Sequence, residues 1–396
     1  MIKRIRVGNF KSLTDFDINL SKFNCLIGMN GAGKSTVLQA VDFIAQLMEG
    51  KIDKWLENRG WMASELSTKS FTTKYILELE SYTANNTGFV VEYESNNGDK
   101  IHWVGGFNRH ELQCSKEIIF ANGIEQFRVQ RKQYRISQKS YKDIAFNYQG
   151  SILSQLRDSE IPDPILEFRD YMRRIKSLEL LAPSLLRKRA RTTDMDIGSG
   201  GEKLSAFLHS IKGKNRESLI QLLKTFYPNL IDYKVSSQKS GWKKLVVIEQ
   251  FGEKKLETEA RHINDGLLRI LAILSQASSE HSLILLDEIE NGINPEIIEK
   301  LVDALVNSKQ QILVTTHSPM ILNYLDDNVA RDSVQFIYKN EKGETRARPF
   351  FSVPRIGAKL DYMGAGEAFV DTDLIALTQE CVALDAKELA EKELAK

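Results

Sequence analysis

The residues best suited to chemistry in this chain are Gly28-Met29-Asn30-Gly31-Ala32-Gly33-Lys34-Ser35, which match the phosphate-loop spacing G-x-x-x-x-G-K-[ST] at every fixed position. Glycines let a backbone come close to phosphate oxygens and turn several N–H groups inward. A helix that starts at the lysine adds the positive end of its dipole. Lys34 has the reach for β- and γ-phosphates, and the Ser35 hydroxyl is a ligand for Mg²⁺. Asn30, Gly31, Gly33 and Thr36 complete the surface expected to meet the nucleotide. Such a loop works only between a strand and a helix. Phe23-Asn24-Cys25-Leu26-Ile27 reads as the buried strand, and Val37, Leu38, Val41, Ile44, Ala45 and Met48 recur with the 3.6-residue period of the helix. The arrangement marks a nucleotide-binding protein.

Far downstream, Ser282-Leu283-Ile284-Leu285-Leu286-Asp287-Glu288 is an apolar run ending in two acids, which reads as a strand buried on both faces. Asp287 is placed to serve in a Mg²⁺ shell, directly or through water, and Glu288 to polarise an attacking water. The plain alternative is a strand followed by two surface acids; the complete phosphate loop upstream favours the chemical reading. Glu290-Asn291-Gly292-Ile293-Asn294-Pro295 follows as an Asn-Gly turn, with Asn294 as cap and Pro295 opening a helix. A further apolar strand, Gln311-Ile312-Leu313-Val314-Thr315-Thr316, leads into His317-Ser318-Pro319. A histidine at such a strand end can hydrogen-bond a γ-phosphate or stand as an ordinary loop histidine.

The phosphate loop, the distant Asp-Glu strand, the acidic Asn-containing loop and Thr-His-Ser-Pro together resemble the ABC-type ATPase head. More narrowly they resemble its SMC/RecF/OLD-like branch, which opens with a strand ending in Asn-Phe-Lys/Arg-Ser, here Asn9-Phe10-Lys11-Ser12. The motifs cover roughly residues 1–50 and 240–350, and about 250 residues separate the phosphate loop from the Asp-Glu strand, far more than in transporter-type heads. The resemblance implies an α/β fold: a P-loop NTPase of ABC-ATPase type with an N-terminal antiparallel β lobe and a helical insertion. It implies ATP and Mg²⁺ as ligands, Lys11 near the nucleotide, and hydrolysis to ADP and phosphate between two heads. In such a pair the signature loop of one head closes on the γ-phosphate held by the other.

The signature position here reads Asn264-Asp265-Gly266. Asn264 can cap the helix that runs to Gln276, and Gly266 permits close approach. Asp265 departs from the family's pattern, because a carboxylate repels a phosphate: either it points away or turnover is slow. A Mg²⁺-sensing glutamine is also implied, with Gln149, after the strand-like stretch 143–148, as candidate and Gln155 behind it. Small standalone heads of this group resemble the ATPase half of prokaryotic anti-phage modules. That implies a homodimer or higher even oligomer controlling a separate nuclease or toxin-like effector. The other readings are a RecF/SMC-like repair or recombination ATPase and an ATP-binding regulatory scaffold with little turnover.

Composition adds bounds. A net charge of +1 gives no global pull toward nucleic acid, so DNA would have to meet local patches. Two are candidates: Arg128-Val129-Gln130-Arg131-Lys132-Gln133-Tyr134-Arg135, read as a hairpin with one cationic face, and the basic loop 187–191; each can equally be a solvated face. No apolar run reaches the ~18 residues of a membrane span, and the N-terminus lacks a secretory pattern. Three scattered cysteines, with Cys25 read as a core residue, fit a reducing cytoplasm. The expected organisation is an ATPase lobe over 1–148 with the phosphate loop and antiparallel sheet, then a helical insertion over 149–230 with helical patterns at 151–156, 164–175 and 202–211. A second ATPase lobe follows over 231–353, and a tail over 354–396 is helical from 376. Glu367, Asp371 and Asp373 read as a loop and helix start and not as a nuclease site.

Overall fold

The computed structural model describes residues 1–68, 74–77, 80–83, 85–137, 139–192 and 196–394. Its contacts divide the chain into two compact units, one of Met1–Ile175, Asp327–Met363 and Ala368–Lys396, the other of Lys176–Asp326 with Gly364–Glu367. The borders expected at 148, 230 and 353 follow motif and composition, a division different in kind.

The first unit contains the expected antiparallel lobe. Eight strands lie in the order Lys142–Asp143, Gln133–Ile136, Ile124–Gln130, Gln113–Ala121, Lys100–Asn108, Asn86–Glu94, Ile2–Gly8 and Phe16–Asn19. From Asn86 onward this is a meander, with short connections, two of them the two-residue turns Asn122-Gly123 and Arg131-Lys132, returning each strand beside the last. One face is closed by the helix Lys34–Glu49, whose apolar period is buried as the spacing predicts. Phe43 of that helix meets Phe107 edge-on at 5.0 Å and lies 5.7 Å from Phe10 and 5.8 Å from Phe89, a ring cluster that locks helix to sheet. Cys25, Cys114 and Cys381 are buried, Cys25 within the strand as expected.

Three local expectations change. The strand expected over 143–148 stops at Asp143; beyond it the Tyr148 hydroxyl donates to Cys114 O (2.8 Å) and Gly150 bridges to Gln113, so side chain and bridge replace a ladder. Over 151–156, Ser151 caps a single 3₁₀ turn, Ile152–Ser154. The helices Asp163–Arg173 and Leu204–Ser210 form near their expected places. Residues 71–73, 78, 79 and 84 of the stretch 71–136, expected as the N-terminal sheet, lie outside the described residues; the hairpin Lys74–Leu77 and Glu80–Thr83 forms. The tail helix begins at Leu374, two residues early, because the Asp373 carboxylate accepts from Ile375 N (2.8 Å) and Ala376 N (3.2 Å) and so caps it. Asp371 pairs with Lys359 at 2.9 Å and Glu367 accepts from Gly364 N, so these acids serve local structure.

Also in the first unit, Phe23–Ile27 pairs in parallel with Val334–Lys339, which pairs antiparallel with Thr345–Pro349. The second unit holds the parallel pair Leu283–Leu286 and Gln311–Thr315, with Leu286 opposite Val314. It also holds the three-stranded antiparallel sheet Leu230–Ser237, Lys243–Phe251 and Lys254–Glu259, and the buried helix Asp265–Ser275.

Candidate functional site

The phosphate loop is shaped from behind. Gly28 has φ +145°, and a Cβ there would stand 2.1 Å from Ile337 O on the neighbouring strand. Gly33 has φ +112°, and its Cβ would stand 2.4 Å from Thr345 Oγ1. Both positions therefore demand glycine for space as well as conformation. Thr345 is fully buried and donates its hydroxyl to Ala32 O (2.9 Å). Its Oγ1 also lies 2.8 Å from Ser12 Oγ, and its N–H donates to Ser12 O (2.9 Å), so Ser12 of the Asn-Phe-Lys-Ser segment is tied to the same threonine.

On the front, the Gly31 Cα faces open space at φ +74°, and Asn30, Gly31 and Ser35 are exposed, with Thr36 half-buried. Lys34 is 5% exposed, and its ammonium rests on Gly28 O (2.9 Å) and Met29 O (3.1 Å). The helix begins on Gly33, which caps it with no side chain. A cradle of left-handed glycines, a helix N-terminus and a lysine held on the loop's own carbonyls fits a nucleotide's phosphates.

Lys11, expected near the nucleotide, has φ +51°; its ammonium donates to Gln39 Oε1 (3.0 Å) and sits 3.2 Å from the centre of the Trp61 ring. Gln149 requires a correction. Its side chain accepts from Asp53 N (3.1 Å) and donates to the Asp53 carboxylate. Its carbonyl oxygen would stand 3.2 Å from a Cβ on Gly50, the C-terminal cap of the helix that Lys34 begins. Those sixteen residues span about 24 Å, so Gln149 caps a structural turn at the far end from Ser35. Gln155, which donates to Ser154 Oγ and follows the same turn, lies there too.

In the second unit the Asp-Glu strand ends as expected, and one hydroxyl arranges both acids. Thr315 Oγ1 donates to Asp287 Oδ1 (2.5 Å) and accepts from Glu288 N (2.8 Å), while Thr315 O accepts from Ile289 N (3.2 Å). Glu288 has φ +47°, a conformation costly for a residue with a Cβ, and Asn291 Nδ2 lies 3.4 Å from its Oε2. The next acid, Glu290, accepts from Thr316 Oγ1 (2.9 Å) and His317 N (2.8 Å), which fixes the backbone of the exposed His317.

The signature segment lies in the same unit. Asn264 Oδ1 accepts from Leu267 N (2.7 Å) and caps Asp265–Ser275. A Cβ on Gly266 would stand 2.8 Å from Gly292 O, so the helix start abuts the turn after the two acids. Asp265 is salt-bridged to Arg187, which also donates to Ile263 O (2.8 Å). The uncompensated carboxylate read from the sequence is thus matched by a cation from the basic loop 187–191. One turn along, Arg269 is 5% exposed and donates to Asn291 O (2.7 Å), Asp287 O (3.1 Å) and Glu288 O. Burial lowers its pKa, with Glu290, Glu288 and Asp287 acting against that shift. Sequence reasoning missed Thr345, Thr315, Glu290, Arg187 and Arg269 as parts of this machinery.

The expected hairpin lies in the first unit. It forms, with Ile124–Gln130 and Gln133–Ile136 joined by left-handed Arg131 and Lys132. Arg128 and Arg135 stand opposite each other, and Glu125 binds both, at 2.6 Å and 2.5 Å. This one carboxylate offsets one charge of a hairpin that also carries Arg131 and Lys132.

Residues 23–323 match the family described as AAA domain, putative AbiEii toxin, Type IV TA system. The chain belongs to that family. A stretch of 44 residues is 46% identical to the OLD nuclease of Thermus scotoductus (strain ATCC 700910 / SA-01), covering 11% of this chain and 8% of that protein. The chain therefore spans a small part of that relative's length. Among solved structures, an Smc head bound to the C-winged helix domain of ScpA superposes with TM-score 0.56 at 14% identity, over 88% of this chain and 96% of that one. An Smc head with an extended coiled coil, bound to the C-terminal domain of ScpA derived from Pyrococcus furiosus, gives 0.51 at 13%, over 91% and 99%. The fold is that of an SMC/OLD-like, ABC-type ATPase head, a P-loop NTPase with an antiparallel lobe. Members of this class are ATPases that use ATP and typically Mg²⁺. Among the described residues no helix is long and apolar enough to cross a membrane, and no group of three or more His, Cys, Asp or Glu could hold a metal by itself.

Proposed function

We propose that the chain hydrolyses ATP to ADP and phosphate, that two copies close on two nucleotides, and that this closure controls a separate effector chain in defence against phage. The observation that carries the hydrolytic part is the Thr315 hydroxyl, which fixes Asp287 and the left-handed Glu288 together. In this reading Lys34 and the glycine loop hold the β- and γ-phosphates, and Ser35 and Asp287 would hold Mg²⁺, which would supply neutralisation of charge on the transferring group. Glu288 accepts the proton of the water that attacks the γ-phosphorus, the bond to the β-phosphate oxygen breaks, and ADP leaves with the electron pair. His317 hydrogen-bonds the γ-phosphate. Asn264 and Gly266 approach the nucleotide of the second copy, and Asp265 arrives there already paired with Arg187. Gln149 takes no part.

The defence role is supported by the toxin–antitoxin description of the family and by the local similarity to an OLD nuclease. Control of another chain is supported by Smc heads of this fold that bind domains of ScpA. Glu125 weakens the case for direct DNA contact through the hairpin, and with it the repair reading. Lys34→Ala should abolish ATP binding, and Glu288→Gln should keep binding while hydrolysis falls by roughly a hundredfold or more, as expected when a general base is lost. Wild-type turnover in Glu288→Gln would remove the role assigned to Glu288.

A further inference from the structure

We infer that Arg269 is a positioning residue that ties the conformation of Glu288 to the seating of the signature helix. The inference rests on the proposed hydrolytic role of Glu288. Arg269 stands on Asp265–Ser275, the helix whose first turn would meet the nucleotide of a second copy. Its guanidinium is buried; Nη1 donates to Asn291 O and Nη2 to Asp287 O and Glu288 O, while Nε has no hydrogen-bond partner among the described residues. These carbonyls bracket the left-handed residue: one precedes it, one is its own, and one closes the turn after it. The conformation of Glu288 is costly by itself and persists only where its surroundings over-determine it. Thr315 holds the Glu288 N–H from one side, and Arg269 holds its carbonyl from the other.

A second contact joins the same two segments. Gly266 leaves no room for a side chain against Gly292 O, so the start of the helix and the turn after the acids move together. A displacement of the helix start by a partner's nucleotide therefore reaches Glu288 by two routes, the Gly266–Gly292 contact and the Arg269 fork. A planar guanidinium spans three acceptors at once, which the single nitrogen of lysine cannot do in the same geometry. Arg269 touches neither ATP nor water in this account; it acts through Glu288.

The test is the kinetics of Arg269→Met and Arg269→Lys in the full chain, with the fold checked by circular dichroism and ATP binding measured separately. Arg269→Met should lower kcat roughly ten- to a hundredfold, the effect of losing buried charge-assisted hydrogen bonds, while ATP affinity changes less than about threefold. Arg269→Lys should recover part of kcat, and it carries the test if the Met variant does not fold. In the Glu288→Gln background, adding either substitution should lower kcat no further, because the group being positioned is gone. Wild-type kcat in a folded variant, an equal loss of ATP affinity, or losses that multiply with Glu288→Gln would each overturn the inference. An inactive wild-type chain would instead overturn the proposed hydrolysis and this inference with it, so the two failures are distinguishable.

Discussion

At the residue scale, the groups proposed to meet phosphate were legible because phosphate chemistry fixes their spacing along a few consecutive residues. Gly28 to Ser35 is such a case, and so is the Asp287-Glu288 pair at a strand end. The groups that shape those residues were not legible. Thr345 lies 313 positions from the Ala32 carbonyl it supports, and a lone threonine has no pattern to betray it. A test follows from its geometry. Thr345→Val keeps the shape, removes the hydroxyl that joins Ala32 to Ser12, and leaves a buried carbonyl without that donor. The expected cost to the loop is about 1–3 kcal/mol, seen as weaker ATP binding by roughly five- to a hundredfold, with turnover at saturating ATP largely retained. Isothermal titration beside steady-state kinetics checks this; unchanged affinity would show that the loop holds its shape without Thr345.

At the element scale, the strands and helices flanking the motifs follow from apolar period and caps, and Asn264 and Asn294 cap where the sequence placed them. The cationic hairpin forms as expected, but its ion pairs are invisible in a charge count: Glu125 reaches Arg128 three residues on and Arg135 across the turn. The antiparallel lobe contains a further buried acid, Glu117, whose carboxylate accepts from Ser151 Oγ (2.6 Å), Ile152 N (2.9 Å) and Trp103 Nε1 (3.1 Å). Burial pushes its pKa up from 4.5 to about 7 against those three donors. The sign is set by linkage: between these values the folded chain keeps a proton that the unfolded chain has lost, so this group's contribution to stability falls as pH rises across that window and levels off above it. Glu117→Gln should flatten the pH dependence between pH 5 and 7.5, a difference on the order of 2–3 kcal/mol at most. Urea unfolding of both proteins at the two ends of the range measures it, and parallel pH profiles would mean Glu117 ionises in the fold as it does in water.

At the scale of the whole molecule, a signature loop has no use for its own head's nucleotide, so the proposed mechanism requires a second copy. Glu288→Gln with ATP and Mg²⁺ should run as a dimer or higher even oligomer in light scattering, and without ATP it should be smaller. Gly266→Trp should block closure, because even a Cβ there meets Gly292 O at 2.8 Å, while leaving the phosphate loop and single-head ATP affinity nearly intact. Mixing Lys34→Ala with Gly266→Trp chains sets an intact phosphate loop opposite an intact signature loop in one composite site, so some hydrolysis should return, below the wild-type rate because the Gly266 contact with Gly292 also bears on Glu288 of that chain. A protein that stays monomeric while active, with nothing restored on mixing, would leave the fold assignment standing and remove the two-head mechanism.

The sequence by itself determined the class of fold and pointed to the groups proposed to bind and hydrolyse ATP, because a phosphate loop and an acid-tipped strand are local solutions to local chemistry. Only the tertiary structure decided what holds those groups in place. It put Thr315 under both acids, Arg269 behind Glu288, Thr345 behind the phosphate loop and Arg187 on Asp265, and it moved Gln149 to the wrong end of a sixteen-residue helix. The reason is that a buried polar group must find its partner in space. The chain brings those partners from whichever strand or turn packs nearest, at separations along the sequence that no motif encodes.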